Sequence, residues 1–381
     1  MKNLILAVSL LASVVSNFGQ LVISGNENKI DLVSGAPAVI ADAEPDSISL
    51  IDFSTSPPRV EHLRGIPNSV IGPPSNIAIT PDARLALVAN SLKIDPSDAA
   101  QWVPESYVHV LDLTAKPPKV ISRVGTGLQP SGISITPNGG LALVANRAAG
   151  TVTVLSITGK EVKRIRDVQV CEPDQSVSDI AINSAGNLAL ASIQKGGYLA
   201  VLKIDGDQVT LTTRNLSVYG QPYRCVITPD GELGLTAGQG FGSGLDMDAL
   251  SVIDLKADPI RTIDHISIGS GPESIEISPD GKLVAAVLMN QSNLAPDDPN
   301  LTKHGGLVIL SRRGRTFEKV QEVRVGRIPE GVAFTGDGRF LIVQCHPSRQ
   351  LWVFSVEGEK VRDTGMRITV PGMPSALRAA R

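Results

Sequence analysis

Aromatic residues make up only 3% of this 381-residue chain, which leaves little material for stacking nucleic-acid bases or building carbohydrate platforms. Lysine and arginine number 35 against 38 aspartate and glutamate, for a net charge of −3, and no basic run disturbs that balance. Without a basic footprint, nucleic acid is not an expected partner. Cysteine is also scarce. Cys171, Cys225 and Cys345 cannot all pair with one another, and no CxxC or HxxxH spacing offers a zinc site. Lying in or beside apolar strand-like segments, they read as buried small hydrophobes. No stretch sustains a helical period, so the glycine run Gly238–Gly244, with no amphipathic helix behind it, reads as a rim loop and not as a phosphate cradle. The one long apolar run, Leu4 to Val15, is short for a membrane span, which needs about 20 residues. It reads as the core of a signal peptide over 1–16, leaving a mature chain 17–381 that is periplasmic or secreted.

What the chain does contain is repetition. PSGISITPNGGLALVAN, Pro130 to Asn146, is two short strands joined by a turn on Pro137, Asn138 and Gly139. The same phrase begins at Pro74, Val177, Pro222, Pro272 and Pro329, and a truncated copy, PSALRAA, at Pro374. Each full copy is followed by a third strand, such as TVTVLSI or YLAVLKI, then a polar turn and a fourth. A strand-rich period of roughly 40 to 50 residues marks a propeller blade. The expected fold is therefore all-β: a seven-bladed β-propeller with four antiparallel strands per blade. Its last blade would be completed by N-terminal strands near Gln20–Asn26, Ser47–Phe53 and Val60–Gly65 pairing with the C-terminal strand, since an open ring would expose two strand edges.

Alternating strand directions place the start of each first strand and the end of each second strand on one face of the disc. The long insertions, Asn26–Asp46, Leu92–Tyr107, Gly238–Ala249 and Gln291–Gly306, all follow second strands and crowd that face, which is therefore the expected ligand face. Three repeats place serine after the opening proline (Ser75, Ser131, Ser375), whereas others carry Glu273, Glu330 and Tyr223 followed by Arg224. At the ends of second strands stand Asn90, Asn146 with Arg147, Gln194, Asn290 and His346. In a ring these positions converge on the mouth of the central channel, where they would bind an anionic or polyhydroxylated small molecule. Capping of strand ends and pairing between blades is the structural alternative for the same groups.

The phrase P-x-x-[IV]-x-[IV]-[TS]-P-[DN]-G followed by LALVAN resembles the YVTN-type repeat. From about Gln20 the whole chain is similar to the seven-bladed lactonase propellers, which include 6-phosphogluconolactonase-like proteins. That resemblance implies hydrolysis of a sugar or aromatic lactone by Glu, His and Arg side chains at the channel mouth, without cofactor or obligatory metal. On it, the catalytic candidates are Glu273 as base with His346 second, and Arg224 to polarise the carbonyl. Arg147, Glu330, Asn90, Asn146, Asn290, Tyr223 and Gln194 would bind substrate. Two alternatives stay open: a non-catalytic propeller that binds a small ligand or a protein partner through the loop-rich face, and a calcium-dependent hydrolase. The latter would take oxygen ligands from Glu273 or Glu330 with Asn90, Asn146 and Asn290, or from the loop acids Asp246, Asp248, Asp297 and Asp298.

Overall fold

The computed structural model describes residues 20–240 and 245–381; the expected signal peptide and part of the glycine run lie outside them. Seven four-stranded antiparallel sheets form a ring. The first strands line its axis and pack on one another in order: Ile77–Ile79, Pro130–Ile135, Val177–Ile182, Gln221–Ile227, Pro272–Ile277, Pro329–Phe334, Met373–Ala379 and back to Ile77–Ile79. The seventh blade closes as expected, with Met373–Ala379 pairing with Leu21–Glu27, which pairs with Ser47–Asp52 and then Arg59–Arg64.

The hairpins explain why the repeat is legible. In Thr136–Leu141 the threonine hydroxyl donates to Asn138 Oδ1 at 2.7 Å and accepts from the Leu141 amide at 3.0 Å, while Gly139 takes φ 72°. Thr80, Thr228, Ser278 and Thr335 make the same hydroxyl contact with Asp82, Asp230, Asp280 and Asp337. A side chain that substitutes for backbone in the turn, next to a residue with positive φ, specifies each corner locally. Apolar layers then fill the spaces between adjacent blades, and Cys171, Cys225 and Cys345 are buried and unpaired within them. Burial pushes the Cys171 thiol up to about 11, which keeps it protonated and unreactive at neutral pH.

One expected loop is not a loop. Residues 92–107 continue the second and third strands of the first blade as a long hairpin, Leu85–Asp95 with Asp98–Asp112. Leu92 is buried there against Ile30 and Val70, with Trp102, Ile71 and Leu32 packed around them, so an apolar cluster holds the hairpin upright. The same cluster anchors a two-stranded ribbon, Ile30–Asp31 with Ala38–Val39. The ribbon's turn crosses the mouth far enough that a Cβ on Gly35, at φ +91°, would lie 2.9 Å from the Ala295 amide of the fifth blade.

At the axis the backbone closes on a carboxylate. A Cβ on Gly132 would sit 1.9 Å from Asp179 Oδ1 and 2.7 Å from Asp179 Cα, and neither the Asp179 backbone nor its anchored side chain can yield. Gly132→Ala is expected to cost ~1–3 kcal/mol as an overpacked site, read as a lower midpoint of thermal unfolding.

Candidate functional site

The loop-side mouth of the channel holds a cavity of about 250 Å³. Its floor is built from repeat positions just after each opening proline: Tyr223, Glu273 and Glu330 at the starts of the first strands of blades four, five and six. Its wall comes from positions at or just past the ends of second strands, namely Arg147, Gln194, Gln239 and Met289. Its roof is Leu32, Gly35, Ala36 and Pro37 of the ribbon together with Val70, Ile71 and Gly72.

The polar groups are buried and incompletely paired. Arg147 donates through Nη2 to Gln194 Oε1 at 2.7 Å, while its Nε and Nη1 have no partner. Its guanidinium carbon stands 5.8 Å from the centre of the Tyr223 ring. Neither carboxyl oxygen of Glu330 is hydrogen-bonded. Burial pushes the Glu273 carboxyl above the usual carboxylate range, with Arg147 opposing. Glu330 is driven well above that range by burial and by the neighbouring Glu273 and Glu27 carboxyls, with no cation opposing. Burial and the two glutamates likewise raise the Tyr223 hydroxyl. Two carboxyls in different environments, beside a cation, form a pair in which one ionises before the other. Gly72, at φ +124°, permits the close approach of the roof, because a Cβ there would lie 2.4 Å from Ser131 Oγ.

Of the ten residues expected at the mouth, Arg147, Gln194, Tyr223, Glu273 and Glu330 line this cavity. The other five do not. Arg224 points deeper into the channel and donates to Ser274 Oγ at 2.8 Å and Glu276 Oε2 at 2.5 Å. His346 is buried with Nδ1 3.2 Å from the Pro374 carbonyl in the seventh blade, covered by the ribbon near Ile30 and Asp31. Burial lowers its imidazole to about 4, so it is neutral at physiological pH. Asn146 turns into its own blade and donates to Thr151 Oγ1 and Thr153 Oγ1 at 3.0 and 2.9 Å. Asn90 lines a separate pocket beside Lys93, Glu105 and Tyr107. Asn290 accepts at its backbone carbonyl from Thr302 Oγ1 at 2.6 Å. The oxygen-ligand set that calcium would need is thereby dispersed. Asp248 instead accepts backbone amides from Gly240 and Gly271 at 2.7 and 2.8 Å. Among the described residues, no three His, Cys, Asp or Glu side chains form a group that could hold a metal ion.

Gln239 and Met289 belong to the cavity but were not among the expected residues. Both were available from the repeat, since they occupy the position that Arg147 and Gln194 hold in their own blades, one residue beyond the partner of the blade's opening residue.

No protein-family model matches the chain, and no curated protein matches it; the YVTN likeness therefore rests on the repeat phrase alone. Solved structures do match. A candidate 6-phosphogluconolactonase from Bacteroides uniformis superposes with a TM-score of 0.70 at 17% identity, over 94% of this chain and 98% of that one. The Pseudomonas aeruginosa periplasmic gluconolactonase PpgL gives 0.67 at 18%, over 95% and 99%. The hydrazine synthase of Kuenenia stuttgartiensis gives 0.58 at 19%, over 76% and 78%. Proteins so different in name share these strands at such low identity that the likeness shows the fold alone, which is a seven-bladed β-propeller.

Proposed function

We propose that this propeller is an exported hydrolase that opens a neutral, polyhydroxylated lactone in the roofed mouth cavity. The observation that carries this reading is the enclosure of Glu273, Glu330, Arg147 and Tyr223 around one space, with buried hydrogen-bonding atoms of Glu330 and Arg147 left without a protein partner. Glu273, held nearer ionisation by Arg147, takes a proton from water as the water oxygen bonds the carbonyl carbon. Charge moving onto the carbonyl oxygen is received by the Arg147 guanidinium and the Tyr223 hydroxyl. The ring carbon–oxygen bond then breaks, and Glu330, which keeps its proton, delivers it to the departing alkoxide. One arginine facing two carboxyls is a poor seat for a phosphate dianion, which favours an unphosphorylated substrate. Export rests on the apolar run Leu4–Val15, and among the described residues no helix is long and apolar enough to cross a membrane. The names of the Bacteroides and Pseudomonas structures agree with the reaction class.

The test is acid release from a panel of aldonolactones and aromatic lactones by the mature chain, with ligand binding measured in parallel by calorimetry. Acid released above the spontaneous rate supports hydrolysis. Saturable sugar binding without acid release converts the site to a non-catalytic receptor. Because ionised Glu273 is the active form and its carboxyl is raised, kcat/KM is expected to climb with pH through the neutral range, and a flat profile would remove Glu273 as the base.

A further inference from the structure

The channel has a second polar station, at the hairpin side. Glu276 lies three residues beyond Glu273 on the same strand, roughly 10 Å further along the axis. There a separate cavity of about 110 Å³ is lined by Arg224, Arg378, Arg381, Asp179, Glu276 and Ser134, among others. The guanidinium groups converge on a single carboxylate. Arg224 Nη2 is 2.5 Å from Glu276 Oε2, Arg381 Nη2 is 2.9 Å from Oε1, and Arg378 Nη1 is 3.8 Å from Oε2. The other acid nearby is already engaged: Asp179 accepts from Ser75 Oγ at 2.7 Å and from the Cys225 amide at 2.9 Å.

We infer that this end of the channel binds a small oxyanion, a phosphate or a carboxylate, between Arg224, Arg378 and Arg381. Three side-chain cations against the two engaged carboxyls of Glu276 and Asp179 still leave an excess of positive charge where solvent screening is weak. Burial raises the Asp179 carboxyl above its ordinary range, with Arg224 opposing. Burial and the adjacent Arg224 lower Arg378 to about 10, with Arg381 adding to it and Glu276 and Asp179 opposing. A water needs only about 10–15 Å³ of such volume, so the cavity has room for several waters or one small oxyanion. Planar guanidinium groups also suit bidentate contact with carboxylate or phosphate oxygens. The site is independent of the mouth, which presents carboxyls where this one presents arginines, and its test does not depend on hydrolysis.

Inorganic phosphate titrated into the full chain, by calorimetry and by thermal unfolding, is expected to bind saturably and to raise the unfolding midpoint with concentration, while sodium chloride of matched ionic strength does neither. Sulfate and acetate in place of phosphate distinguish a tetrahedral from a planar preference. Arg381→Gln, at a side chain 36% exposed, should weaken phosphate binding about tenfold, the usual loss for one charge-assisted contact, while Arg224 and Arg378 still hold Glu276. Arg378→Gln, whose side chain also holds the Ile77 and Ile133 carbonyls, should weaken it at least as much. Absence of saturable binding overturns the inference, as does affinity unchanged in both variants. Loss of binding in Arg147→Gln with both far-end variants unaffected would assign the anion to the mouth and overturn it equally.

Discussion

Glu273→Gln is expected to lower lactone turnover by about 10²–10⁴-fold, the range contributed by a positioned general base, with kcat carrying most of the change. Glutamine keeps the shape and one acceptor oxygen, so ligand contacts and KM should move little. Folding should not suffer. A carboxyl held above its ordinary pKa of 4.5 contributes stability that is complete below that value and is lost as pH rises through the folded value. Glutamine is uncharged at every pH and removes that loss. The variant should therefore match or exceed the parent in thermal stability above neutral pH while losing activity, a combination that misfolding cannot produce. Turnover preserved in Glu273→Gln would show that the mouth does not use this residue as a base.

Glu276→Gln is expected to have the largest effect on stability. Removing the carboxylate leaves Arg224, Arg378 and Arg381 facing one another in the channel, and breaking a buried ion cluster in this way costs about 3–5 kcal/mol. Titration leads to the same magnitude. Burial alone would raise the Glu276 carboxyl, but Arg381, Arg224 and Arg378 together outweigh it and hold the group at about 2, against an ordinary 4.5. The stability it contributes is present above pH 4.5 and is lost as pH falls toward 2. A separation of that size corresponds to on the order of 3 kcal/mol. Denaturant unfolding at pH 7 should show the deficit, and the parent and variant curves should converge on acidification. Parallel pH profiles would mean that the arginines find other partners and that Glu276 is dispensable. Phosphate, if bound as inferred, should restore part of the lost stability by supplying the missing negative charge.

The two glutamates stand three residues apart on one strand, yet the sequence marks only one of them. Glu273 was legible because it departs from the serine that other repeats place after proline. Glu276 sits among alternating strand residues in ESIEI, where nothing marks it as facing an arginine cluster brought together from the fourth and seventh blades. Arg224 shows the converse. As the neighbour of Tyr223 it is expected at the mouth, but the ladder shifts register between Pro222 and Cys225, and the two side chains line different cavities along the channel. His346 and Asn146 were expected at the mouth as ends of second strands. Such ends lie farther from the axis than the first strands, so a side chain there reaches the cavity only if it is long, points inward and is not covered. Arg147 and Gln194 meet those conditions. Asn146 turns to its own blade, and His346 lies beneath the ribbon.

By itself the sequence determined the propeller, its seven blades and the closure of the ring by both chain ends, because the hairpin corner is made by residues adjacent in the chain: a hydroxyl, a carboxylate or amide, and a residue with positive φ. Only the tertiary structure decided which ionisable groups meet, since depth along the channel depends on register shifts, and enclosure depends on where the N-terminal ribbon lies. Those are contacts between residues more than three hundred positions apart, and they decide both the burial and the charged neighbours that set the charge states of the groups at the axis.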